Sequence, residues 1–276
     1  MRIKKIFNNN AVLVDDQGKE KIVTGAGIGF QKKVYDLIPE SKIEKIFEPQ
    51  TKGEYEAYKK ILETIPIEHI KISERIISHA EDTINKPLNK HIYVVLTDHI
   101  SFAIDRAKSG IKIRNKLLNE IKMLYKEDFE IGIWAINMIK KELNVDLPVD
   151  EAGYIAIHIH TAYSNSTLEE STDIALIIRD LVDIVQGEMN VTIEDNTLSY
   201  ERLVTHLRFA LQRKEDGNEY DDLDQELISI IKLKYKEAYV CALKIKNFLK
   251  QSYEIEFGET ELSYIALHIQ RITNKK

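Results

Sequence analysis

Residues 96–106 read LTDHISFAIDR, and residues 203–213 read LVTHLRFALQR. At this offset of 107 positions His99 meets His206, Phe102 meets Phe209, Ala103 meets Ala210 and Arg106 meets Arg213. Working outward, an offset of 110 lays EAGYIAIHI (151–159) on ELSYIALHI (261–269), and Tyr125, Lys126 and Glu127 on Tyr235, Lys236 and Glu237. One surface loop absorbs a difference of three residues. The second half of the chain is therefore a copy of part of the first. Each copy carries two equivalent histidines, His99 and His158, then His206 and His268.

The copied stretches are helical in pattern. Ile70, Ile76, Ile77, Ala80 and Ile84 recur at helical spacing within 69–84, with Glu74, Arg75 and Glu81 on the other face. The pattern continues over 91–107 with Ile92, Val95, Leu96, His99, Phe102 and Ala103, so His99 lies along an apolar stripe. Further helices are predicted over 54–64, 114–126 and 128–143, and after Asp150, a good N-cap for the helix that carries Ile155 and His158. The second copy predicts helices over 174–186, 200–213, 223–234, 235–251 and 261–272. The polar stretch SNSTLEEST (164–172) reads as the linker between copies, and GEMNVTIEDN (187–196) and KEDGNEYDD (214–222) read as loops.

The first 50 or so residues follow a different rule. Short strands are expected at 2–7, 11–14, 21–24 and 43–47, with turns at Asn8-Asn9-Asn10 and at Asp15-Asp16-Gln17-Gly18. A sheet this small has a thin core and is expected to pack against a second copy of itself. The whole chain has a net charge of −6, yet residues 1–35 hold seven Lys and Arg against three acidic residues. An excess of positive charge in an acidic protein suits an anionic partner. Asparagine amides, glycines at 25, 27 and 29, and Phe30 with Gln31, Lys32 and Lys33 are the groups that read unpaired bases and phosphates in folded RNA. The same asparagines and glycines also serve plain turns, so both readings stand at this point.

Composition excludes several classes. The chain is 276 residues long and 43% hydrophobic, enough for two or three cored domains, and no apolar run approaches the roughly 20 residues of a membrane span. The lone Cys241 cannot build an intramolecular disulfide, and MRIKKIFNNN lacks the apolar core of a signal peptide, so a reducing cytoplasm is expected. His158 and His160 stand two apart with no His-Glu-x-x-His or paired-cysteine spacing, which argues against a metal site. The order Asp98-His99 reverses the His-Asp pair of metal-dependent phosphohydrolases, and no nucleophile or phosphate loop offers another active centre. The basic N-terminal region has no helix-turn-helix pattern for DNA. One histidine on an apolar face is usually a hydrogen-bonded core residue. Four at matched positions invite a second reading, because a solvent-reachable imidazole can accept phosphate from a phosphohistidine carrier. Asp98 is a candidate to orient His99, although neighbours on a helix point in different directions, and His69, His79, His91 and His160 have no counterpart in the second copy and read as structural or surface residues.

MRIKKIFNNNAVLV, GAGIGFQKK and IEKIF, with the repeated LTDHISFAI and AGYIAIHI motifs, resemble the sugar-operon transcriptional antiterminators of the BglG/SacY family along essentially the whole chain. The resemblance implies a multidomain protein. A small antiparallel β-sheet RNA-binding domain (1–55) precedes two duplicated all-α helical-bundle domains that answer the phosphotransferase system (56–169 and 170–276). It implies RNA contacts at Lys5, Asn8, Asn10, Gly25, Gly27, Phe30, Gln31 and Lys32, with Ala26 where many relatives have a basic residue. It implies a homodimer that grips a leader-mRNA hairpin, with no cofactor, metal, catalytic centre or membrane insertion. A sugar-specific enzyme II permease would phosphorylate His99 and His158 to silence it, and the phosphocarrier HPr would phosphorylate His206 and His268 to activate it. DLIPESKIEKIF and VTHLRFALQR resemble the sucrose-type members most, with β-glucoside members next. The alternative is a phosphotransferase-responsive regulator of another nucleic-acid target whose histidines are structural.

Overall fold

A computed structural model describes residues 1–48, 51–164, 166–194, 197–215 and 223–273, leaving out the side chains of Lys52, Glu54 and Glu215. Residues 216–222 of the expected acidic loop and 195–196 of the loop before it lie outside the described residues. The chain divides into two compact units, Met1–Arg114 with Glu130–Asn165, and Asn115–Phe129 with Ser166–Lys276.

The first unit opens with a four-stranded antiparallel sheet in the order β1 (Arg2–Asn8), β2 (Ala11–Asp16), β3 (Lys19–Thr24) and β4 (Lys45–Phe47). Asp16 pairs with Lys19 across a two-residue turn whose Gln17 and Gly18 both have positive φ, the geometry that matches strand twist. The period of two along β2 splits its side chains between two cores. Val12 and Val14 join Ile3, Val23, Ile28 and Ile38 on one face. Ala11 and Leu13 join Ile22 and Phe47 on the other, where they meet helical residues such as Tyr58, Ile61 and Leu62. The thin sheet thus finds a cover within its own chain, the helix α1 (Lys52–Thr64), with Phe47 and Tyr58 stacked at 4.4 Å.

Three more helices lie wholly in this unit: α2 (Ile67–Ile84), α3 (Ile92–Lys108) and α6 (Val149–Tyr163). A further helix, α5 (Lys126–Leu143), contributes the part from Glu130 onward. Their apolar stripes, including Ile76, Leu96, Ile100, Ile139 and Ile155, form one core with the sheet face. Each fully buried side chain of this size contributes about 1.5–3 kcal/mol.

The second unit holds α7 (Leu168–Met189), α8 (Leu198–Glu215), α9 (Gln225–Lys234), α10 (Lys236–Tyr253) and α11 (Glu259–Thr273). It also holds the short α4 (Leu118–Leu124), which packs on α7 and α8. Arg208 donates to the Leu124 carbonyl at 2.8 Å, Tyr125 to the Ser171 carbonyl at 3.0 Å and Tyr200 to Glu120 at 3.3 Å.

Several expectations change at this level: Asp150, expected as an N-cap, lies inside α6, which starts at Val149 after Pro148, and α7 runs on to Met189 into the expected loop 187–196. The helix expected over 114–126 spans only 118–124, because Tyr125 leaves helical geometry at φ −124° and ψ 50°. Its equivalent Tyr235 breaks the chain in the same way, at φ −117° and ψ 46°, between α9 and α10. The expected linker SNSTLEEST is mostly helix: Thr167 and Glu170 form a reciprocal capping box that starts α7 at Leu168.

Candidate RNA-binding surface and histidine pairs

The asparagine turn and the glycine loop that follows β3 are tied together. The Asn10 side-chain oxygen accepts from the Gly27 amide at 2.7 Å, and the Asn10 and Asn9 carbonyls accept from the Gly25 and Gly29 amides, each at 2.9 Å. Asn8 folds back on its own turn, its side-chain oxygen accepting from the Asn10 amide at 2.8 Å while its NH2 group donates to the Leu62 carbonyl at 3.0 Å. Gly25 is buried, and a Cβ there would sit 1.9 Å from the Lys42 carbonyl oxygen. Gly27 has φ +62°, where a side chain is strained.

This framework presents Phe30, 56% exposed, together with exposed Gln31 and partly exposed Lys32. Beside them stands Tyr35, 73% exposed, an aromatic that nothing but its residue type marks in the sequence. Lys5 forms an ion pair with Glu63 at 2.7 Å. Of the eight predicted contacts, Phe30, Gln31 and Lys32 lie together on one loop, Gly25 is interior, Gly27 and Asn10 shape the loop, and Lys5 and Asn8 face α1.

The histidines gather two by two. In the first unit α3 supplies His99 and α6 supplies His158, with ring centroids 5.1 Å apart and Tyr154 at 5.8 Å from His99. Burial pushes His158 down to about 4, and the neighbouring His99 adds to the effect. The carboxylate that meets His99 is Glu151 of α6, at 3.2 Å, and its other oxygen accepts from Arg106 at 2.8 Å. Burial would raise the Glu151 carboxyl, but His99 and Arg106 outweigh it and hold the group below the usual carboxylate range. Asp98, the carboxylate suggested by sequence adjacency, is exposed. Successive residues on a helix point about 100° apart, so Asp98 turns away while Glu151 arrives from a neighbouring helix.

In the second unit His206 of α8 stacks on His268 of α11 at 3.5 Å, with 22° between the ring planes. His206 is exposed and His268 is only 9% exposed. Burial, then His206, then Arg271 and Arg202 push His268 down to about 4, and burial with Arg213 and Arg271 lowers His206. Here Arg213 donates to both oxygens of Glu261 at 2.7 Å. Arg106 with Arg213 and Glu151 with Glu261 recur at the offsets of the histidines themselves, a signal present in the repeat and left without a role when it is read as sequence alone. The remaining histidines are engaged elsewhere or exposed. His69 meets Ser101 at 3.0 Å, His79 stacks on Trp134, His160 meets Tyr163 at 3.1 Å and His91 is exposed.

An imidazole is a nucleophile in its neutral form, and its charge changes sharply if a phosphoryl group arrives. Among the described residues, no group of three or more His, Cys, Asp or Glu side chains is placed to hold a metal ion, and no helix is long and apolar enough to cross a membrane.

The chain is similar to known proteins along its full length. Residues 1–56 match the model of the CAT RNA binding domain, and residues 74–162 and 179–272 match that of the PRD domain. It is 41% identical to the transcription antiterminator LicT of Bacillus subtilis, over all of both chains. It is 37% identical to a beta-glucoside operon antiterminator of Dickeya chrysanthemi, over all of this chain and 98% of that one. Among solved structures, GlcT CAT-PRDI matches 59% of this chain and 98% of its own at 36% identity, with a TM-score of 0.54. With a CAT domain followed by two PRD domains, each PRD carrying its own pair of histidines, the chain belongs to the BglG family of transcription antiterminators.

Proposed function

We propose that this chain is an RNA-binding transcriptional antiterminator, controlled by the phosphotransferase system, whose N-terminal sheet holds a hairpin in the leader of a sugar-utilisation transcript. Holding that hairpin prevents an overlapping terminator from forming. The observation that carries this reading is the end-to-end relationship to two named antiterminators, in the same domain order. The Dickeya relative serves a β-glucoside operon by name, so β-glucosides are tested first and sucrose, suggested by sequence wording, beside them.

The RNA surface in this reading is the loop of Phe30, Gln31 and Lys32, shaped by Asn10, Gly25 and Gly27 and extended by Lys5 and Asn8. The modules are 1–55, 56–169 and 170–276, and the working form is a cytoplasmic homodimer. Phosphate from a sugar-specific enzyme II permease on His99 and His158 silences the protein when that sugar is absent. Phosphate from HPr on His206 and His268 activates it when preferred sugars are scarce. Each phosphoryl group adds about −1.5 to −2 charge to a ring set among apolar helices, enough to bias an equilibrium between RNA-competent and RNA-incompetent dimers.

The test is peptide-level mass spectrometry under phosphohistidine-preserving conditions. The purified chain is incubated with phosphoenolpyruvate, enzyme I and HPr, with and without a β-glucoside or sucrose permease. The expected result is phosphate on His206 or His268 from HPr alone, and on His99 only when the permease is added. Phosphate on none of the four, under either condition, removes the proposed control and leaves an RNA-binding protein with structural histidines.

A further inference from the structure

Each histidine pair is built with one arginine and one glutamate, yet the two copies share the glutamate differently. In the second unit both oxygens of Glu261 are taken by Arg213, and His206 leans on His268. In the first unit Arg106 takes only one oxygen of Glu151, Oε1, and the other, Oε2, faces Nε2 of His99 at 3.2 Å. Both of those facing atoms are buried and lie within hydrogen-bond distance of each other, although their angles fall outside hydrogen-bond geometry. The His99 side chain keeps 16% of its exposure, and with Nε2 turned inward the open nitrogen is Nδ1.

We propose that Glu151 is a positioning residue for His99: it fixes the ring as the Nε2–H tautomer, directs phosphoryl acceptance to Nδ1, and is itself held in place by Arg106. The inference rests on His99 being a phosphoacceptor. In the transfer, the Nδ1 lone pair attacks phosphorus and the N–P bond of a phosphohistidine carrier breaks, its electron pair returning to the carrier's ring nitrogen. The proton on Nε2 stays in place, so the His99 ring becomes positively charged as the Nδ1–P bond forms. A buried carboxylate 3.2 Å from Nε2 stabilises that charge as it develops. Arg106 completes the arrangement from two helical turns along α3, keeping Glu151 ionised and on the His99 side. Among the described residues His206 has no such carboxylate contact, and Arg213 occupies both oxygens of Glu261. The two domains therefore present chemically different acceptors from one duplicated motif.

Long-range 1H–15N spectra of the full-length 15N-labelled chain at about pH 8, where a free imidazole is neutral, report the tautomer directly. The expected result is His99 protonated on Nε2. Phosphorylation with phosphoramidate, which releases ammonia as it gives up its phosphoryl group, then reports acceptance without any protein carrier. Expected is the Nδ1 isomer at His99 by 31P NMR and peptide mapping. Glu151→Gln should slow labelling of His99 on the order of tenfold or more while His206, in the other unit, keeps its rate as an internal control. A His99 ring protonated on Nδ1, phosphate on its Nε2, or an unchanged rate and isomer in Glu151→Gln would each overturn the proposal. The tautomer is read on the wild-type chain, so the test survives a variant that does not fold. A ring in the expected tautomer that accepts phosphate from phosphoramidate but from neither protein carrier would instead sink the proposed regulation and leave the positioning role standing.

Discussion

His268 and His158 are the residues at which burial and chemistry meet. Each has a folded-state pKa near 4, against about 6.5 for a free imidazole, so each is neutral at physiological pH and available as a nucleophile. The depressed value also sets a pH dependence of stability. Between about 6.5 and 4 the unfolded chain binds protons that the folded chain refuses, so this contribution is complete above about pH 6.5 and disappears as pH falls toward 4. The melting temperature should therefore be flat above about pH 7 and fall through that window, with a shallower fall in His268→Gln, as followed by calorimetry. Phe30 carries the other residue-scale prediction. Stacking a base on an exposed aromatic contributes about 1–3 kcal/mol, so Phe30→Ala should weaken leader-RNA binding by roughly ten- to a hundredfold in a filter or gel-shift titration, with little change in melting temperature because the ring lies outside the core. The sequence placed Phe30 in a loop among glycines and lysines, and the structure leaves its ring exposed there. Asn8 and Asn10 were legible as residues of this turn, but their side-chain bonds to the Leu62 carbonyl and the Gly27 amide depend on what folds against them.

Helix boundaries show how far local rules reach. Apolar periodicity, helix-favouring composition and the repeat located the eleven helices of the described residues, but several ends were decided by capping and by backbone breaks. Thr167→Ala removes the capping box that starts α7 and should lower stability by about 1 kcal/mol in urea unfolding. The ion pair of Lys5 with Glu63 belongs to this scale too, since it places a proposed RNA-binding lysine against the first helix after the sheet. Glu63→Gln frees the ammonium and removes a negative charge close to where phosphates would lie. RNA affinity should rise about two- to fivefold at low salt, with the gain shrinking as salt is added. An unchanged affinity would mean that Lys5 is not among the RNA contacts.

For the whole molecule, the duplication organises both fold and control. Tyr125 and Tyr235 break the helical path at nearly the same dihedral angles, and both copies place their histidines on equivalent helices beside an Arg–Glu pair. If phosphate on the first domain is the silencing input, His99→Ala should make operon expression independent of the inducing sugar in a reporter strain, while the same change at His206 should lower expression. Equal behaviour of the two variants would reject the division of labour. The sequence by itself determined the repeat, the sheet followed by helices, the four equivalent histidines and the family, because periodicity, turn chemistry and matched spacing are properties of neighbouring residues. Only the tertiary structure decided which carboxylate meets His99, that Glu261 is occupied by Arg213, that α1 covers the sheet, and that α4 joins the unit of α7 and α8 while its counterpart α9 packs on α10 and α11. Those outcomes depend on side chains from different elements competing for the same partners, and no local pattern records which of two chemically equivalent contacts is made.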